Sequence, residues 1–122
     1  MRAREFADEV VRPAGQVLDR IDAQGAVGAG SPVFDFLAQA QREGFTRLTD
    51  PVERGGIGLS RAGEYLVSEE LATADAGLAG LLIAAPTPFR WARAVGGGRL
   101  ARELSLPYMS CERLDWSGCC AV

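Results

Sequence analysis

No histidine occurs in the 122 residues. The side chain that most often serves as a general base near neutral pH is therefore missing, and no Ser-His or Cys-His nucleophile pair can be built from this chain alone. Zinc sites lose their usual nitrogen ligand. Lysine is absent as well: all 13 basic residues are arginines, outnumbered by 16 acidic ones, for a net charge of -3. Affinity for a phosphate backbone comes from clustered cations, and no basic block exists here, so direct DNA or RNA binding is excluded. Cysteine is scarce and confined to Cys111, Cys119 and Cys120, whereas a stapled secreted domain shows an even, spread-out set. Cys119 and Cys120 are adjacent, which gives neither a C-x-x-C motif nor a metal-ligand spacing. They read as reduced, small buried hydrophobes rather than reactive thiols. Long apolar runs are missing too, the longest being residues 76–85, far short of the ~20 that span a bilayer. The opening residues lack the apolar segment of a secretion signal. A cytoplasmic protein is expected.

What is present is enough for one domain: 48% apolar and 24% charged residues supply an ordinary core that buries about two-thirds of the unfolded surface. Phe6, Val10, Ala14, Val17, Leu18 and Ile21 recur at steps of three and four and form one stripe of an amphipathic helix. Pro13 lies inside it and predicts a kink or two short helices. Gly25, Gly28 and Gly30 then read as a flexible connection. Ser31-Pro32 is a helix start, because the hydroxyl can accept from an orphan amide and proline needs none at the first position; Gly44 is the stop. Between them Val33, Phe34, Leu37 and Ala40 form an apolar face, and Asp35, Gln39, Gln41 and Arg42 a wet one. Residues 45–49 are expected to be briefly extended.

Gly55-Gly56-Ile57-Gly58-Leu59-Ser60 has the look of a phosphate cradle. A dinucleotide fingerprint, however, needs a preceding strand and a third glycine at the right position, and both are missing. A tight turn feeding a helix capped by Ser60 explains the glycines better. That helix carries Ala62, Leu66, Val67, Leu71 and Ala74 at helical spacing. Glu69 and Glu70 within it point about 100° apart and cannot converge on one atom, so a solvated face or an ion pair is expected rather than an acid/base dyad. Asp75 can cap the next helix, which is apolar nearly all round through Ala85 and so calls for partners beyond this chain. Pro86 and Pro88 break it before Phe89, Trp91, Ala92 and Val95; Gly96-Gly97-Gly98 ends that segment, and a last short helix is expected over residues 99–106 before Pro107. Residues 116–122 read as the opening of a strand. The expected architecture is all-α, a bundle of about five helices over residues 1–115, followed at 116–122 by the start of a β-domain.

These elements in this order, with Glu43-Gly44-Phe45, Gly55 to Ser60, Ser68-Glu69-Glu70-Leu71-Ala72-Thr73-Ala74-Asp75-Ala76 and Gly118-Cys119-Cys120-Ala121-Val122, resemble the N-terminal helical domain of acyl-CoA dehydrogenases. The resemblance implies an FAD-dependent oxidoreductase in which a base takes the α-proton of an acyl thioester while the β-hydride passes to the flavin. It places the flavin-holding segments and the catalytic glutamate beyond residue 122. The chain is therefore expected to be an N-terminal piece of a longer enzyme, inactive by itself, with no catalytic, cofactor-binding or metal residue of its own. Expected partners are an acyl-CoA or acyl-carrier-protein thioester and, for the full enzyme, further copies of itself. The stretch of the apolar helix that lines the family's acyl cavity corresponds here to Gly80, Ile83, Ala84 and Thr87, which share one helical face at i, i+3, i+4 and i+7. The alternative for these four is plain core. The sequence departs from the family at Pro86 and Pro88, and at residues 96–102, where a polar helix is usual. Two other functions fit the same pattern: a non-catalytic subunit whose apolar helix docks on a partner, and a flavin monooxygenase of the same fold.

Overall fold

Proline has no amide to give a helix, yet helix α1 runs through Pro13 over residues 3–18 in the computed structural model, which describes residues 2–110. The helix is not broken there; before the proline the backbone widens into a π turn at Ala7–Val11, where the Arg12 amide reaches the Ala7 carbonyl. The wider turn gives the proline ring room that a regular turn would deny it. The same device recurs in α7, residues 97–110, where a π turn at Ala101–Ser105 precedes Pro107. The last helix thus continues past the proline that was expected to follow it.

Asp22 accepts from the Gly25 amide at 2.7 Å, and this cap winds α2, Ala23–Val27, out of the stretch expected to be a flexible connection. Helix α3, Pro32–Arg42, starts as predicted, with Ser31 Oγ accepting from the Val33 amide at 3.2 Å. Gly44 ends it at φ 89°, and a Cβ there would lie 2.9 Å from Ile57 Cδ1, so both conformation and space require glycine. The chain then enters a 3-10 turn at Phe45–Arg47 rather than an extended piece. Phe45 is thereby driven into the core, where its ring stacks on Phe6 at 4.0 Å between centroids. On α3 the buried face is Phe36, Leu37, Ala38 and Ala40, with Val33 and Phe34 only half-buried. Gln41, expected to be wet, is buried.

Helix α4, Arg61–Ala74, is capped by Ser60, and α5, Ala76–Ala84, by Asp75. Pro86 and Pro88 then separate α5 from α6, Thr87–Val95. Helix α1 lies against α3 and α4, α4 against α5, and α6 against α7. Phe89 of α6 stacks on Tyr108 of α7 at 4.0 Å. Of the stripe expected on α4, Leu71 is buried, Val67 and Ala74 are half-buried, and Ala62 and Leu66 are exposed. The buried position of its first turn is Glu64 instead. Among the described residues the fold is all-α, as the pattern predicts. The proposed boundary at 115/116, the strand at 116–122 and the three cysteines lie outside them.

Glu70 ties α4 to α1, accepting from Arg4 Nε and Nη2 at 3.1 and 3.0 Å. That hydrogen bond holds the Glu70 carboxyl below its ordinary value of 4.5 and raises the Arg4 guanidinium. A carboxyl lowered by folding stabilises the folded state above its unfolded pKa and loses that effect as pH falls through the folded one. Glu70→Gln should therefore lower the melting temperature slightly at neutral pH, with the difference from the parent vanishing on acidification below 4.5. Melts of both proteins across pH check this, and a gap that widens in acid would refute it.

Candidate functional site

The glycine loop is occupied by its own turn. The amides of Gly55, Gly56, Ile57, Gly58 and Leu59 donate to the carbonyls of Val52, Pro51, Arg47, Asp50 and Leu48 at 2.8–3.0 Å. A phosphate cradle needs amides aimed outward, and these are all engaged within the chain. A Cβ at Gly56 would stand 2.1 Å from the Asp50 carbonyl oxygen, so the glycine serves close packing of the loop on residues 50–52. The loop does not fit the pyrophosphate of a flavin, and the turn is its role.

Along α5 the residues divide. Asp75 Oδ1 accepts from the Leu78 amide at 2.8 Å, which fixes the helix start and turns Leu78, Ala79 and Leu82 into the core. Gly80, Ile83 and Ala84 face the other way and are exposed; nothing lies within 4 Å of the Cβ position at Gly80. Thr87 is half-buried, its Oγ1 donating to the Ile83 carbonyl at 2.7 Å across the Pro86 junction. Gly80, Ile83 and Ala84 thus lie outside the core of the described residues, and Thr87 is tied to Ile83 from the start of the next helix. Glu69 and Glu70 do part company as helix geometry requires: Glu69 is exposed, while Glu70 binds Arg4.

Sequence reasoning missed a polar cluster between α4 and α6. Glu64, its side chain 7% exposed, accepts from Arg90 Nη1 at 2.9 Å and from Arg61 Nη1 at 2.7 Å. Arg90 Nη2 also donates to the Thr46 carbonyl at 3.3 Å. One turn on, Arg93 forms an ion pair with buried Asp50 and directs Nη1 at the Met109 sulfur. Thr46 Oγ1 donates to Gln41 Oε1, and Gln41 Nε2 to the Met109 carbonyl at 3.3 Å, so the cluster joins α3, α4, α6 and α7. Buried charge of this kind persists when each ion is paired and hydrogen-bonded. The signal that could have found it is the pair Arg90 and Arg93, two cations at i and i+3 in the otherwise uncharged stretch 76–95.

A family model described as acyl-CoA dehydrogenase, N-terminal domain, matches residues 1–95. The chain belongs to the acyl-CoA dehydrogenase family. The matched region spans α1 to α6 and contains the capped start of α5, the glycine turn and the cluster around Glu64. No curated protein and no solved structure matches the chain. Among the described residues of this family member, no helix is long and apolar enough to cross a membrane, and no group of three or more acidic, Cys or His side chains is placed to hold a metal.

Proposed function

We propose that the chain is the helical N-terminal domain of a cytoplasmic, FAD-dependent acyl-CoA dehydrogenase-like oxidoreductase, acting on CH-CH groups of acyl-CoA or acyl-carrier-protein thioesters in an enzyme that assembles as a homo-oligomer. Its own contribution is one wall of the acyl cavity. The observation that carries this reading is the face of Gly80, Ile83 and Ala84, small or aliphatic and exposed on a helix whose opposite side is core. An apolar wall suits an acyl tail because burial is worth ~0.8 kcal/mol per CH₂. FAD, when bound, supplies the hydride acceptor, and no residue of this chain is assigned to it. The base that removes the α-proton is likewise assigned elsewhere.

In the full enzyme, Ala84→Phe should place a ring in the cavity and reduce kcat/KM for long acyl-CoA substrates much more than for short ones, with flavin content unchanged. Equal losses for long and short chains would show that Ala84 is not in the pocket. A second reading, a non-catalytic subunit that docks on a partner, is favoured by a different observation: Tyr65, Leu66, Trp91 and Val95 are 72%, 66%, 62% and 75% exposed, more large apolar surface than the acyl wall requires. Loss of a bound partner after Tyr65→Ser and Leu66→Ser, from a parent protein that shows no dehydrogenase activity, would support it.

A further inference from the structure

Three guanidinium groups meet two carboxylates where α4 and α6 come together. Arg61, Arg90 and Arg93 line a cleft of about 360 Å³ together with Thr49 and Asp50. A second cleft, of about 280 Å³, shares Arg61 and Arg90 and is walled by Trp91 and Val95. The polar and apolar clefts share Arg61 and Arg90 in their walls. Glu64 and Asp50 neutralise two of the three cations, which leaves one positive charge in excess. Donors are in excess too. Arg61 gives only Nη1 to Glu64 and its side chain is 73% exposed, so the rest of its planar fork is open to the cleft. Arg90 Nε is buried with no acceptor.

A planar guanidinium fork matches the paired oxygens of a phosphate, and a phosphate has enough oxygens to serve more than one fork. An exposed indole beside arginines offers a flat apolar surface to a ring. We propose that these neighbouring clefts bind a phosphate monoester with an aromatic organic group, the phosphate against the open side of the Arg61 fork and the ring against Trp91 and Val95. The site lies apart from the face of Gly80, Ile83 and Ala84 and does not depend on the acyl-wall reading.

Phenyl phosphate and inorganic phosphate are the probes, titrated calorimetrically into the 122-residue chain at one fixed low ionic strength, since screening weakens exposed charge pairs. Phenyl phosphate should bind saturably and more tightly than inorganic phosphate. Arg61→Ala should weaken phenyl phosphate about tenfold, the loss of one charge-assisted bidentate contact. Arg61→Lys, which keeps the charge without the fork, should fall between. Trp91→Ala should abolish the advantage of the phenyl ester while leaving inorganic phosphate unchanged. Both positions are exposed, and far-UV circular dichroism of each variant confirms an intact fold. Absence of saturable phenyl phosphate binding, equal affinity for the two probes, or affinity unchanged in Arg61→Ala would overturn the proposal and leave the Ala84→Phe test untouched.

Discussion

Glu64→Ala should lower the unfolding free energy of this domain by about 3 kcal/mol, because removing one partner of a buried ion pair strands the other. Glu64 serves Arg90 through one oxygen and Arg61 through the other. Arg61 can turn to water, its side chain being 73% exposed, but the Arg90 side chain is only 16% exposed and would keep a single contact, to the Thr46 carbonyl. The loss is large against a total stability of about 5–15 kcal/mol for a domain. Urea titration followed by circular dichroism measures it as a fall in midpoint at constant slope. Glu64→Gln keeps the volume and one acceptor oxygen and should lose clearly less. The double variant Glu64→Leu with Arg90→Met removes both charges and should recover much of the loss, since a packed apolar pair often equals a buried ionic one. If Glu64→Ala has the stability of the parent, the cluster is not a structural tie.

Phe45→Ala is expected to do still more, about 4 kcal/mol, the usual range for truncating a buried phenylalanine. Its side chain is 2% exposed and stacks on Phe6, which in turn lies 6.3 Å from Phe36. A hole at this point would open between α1 and α3, whose contact the three rings fill. Phe45→Leu, which leaves less empty volume, should cost about half as much. Thermal melts of the three proteins order them; near-equal midpoints for Phe45→Ala and the parent would show that the ring is not central to the core. Gly44 belongs to the same argument, since its turn at φ 89° is what delivers Phe45 inward.

The sequence by itself determined those features that depend on neighbours along the chain. Ser31, Ser60 and Asp75 cap helices because a side-chain oxygen needs only an amide two or three residues on. Gly44 stops α3, and the prolines at 86 and 88 divide α5 from α6, for equally local reasons. Together with the quoted motifs these local signals were enough to reach the family. Tertiary structure decided the rest. Whether the face at Gly80, Ile83 and Ala84 was core or surface could not be read from a helix apolar all round, because periodicity marks a buried side only where polar residues mark the other. Pro13 and Pro107 were legible as obstacles, but the π turns that carry the helices past them were not. Gln41 and Glu64 are buried, and Leu66 is exposed, against their own polarity. Their partners, Thr46, Met109 and Arg90, lie 5, 68 and 26 residues away in the chain. A polar group is stable inside a protein when a partner meets it in space, and the spacing of residues along the sequence carries no record of that meeting.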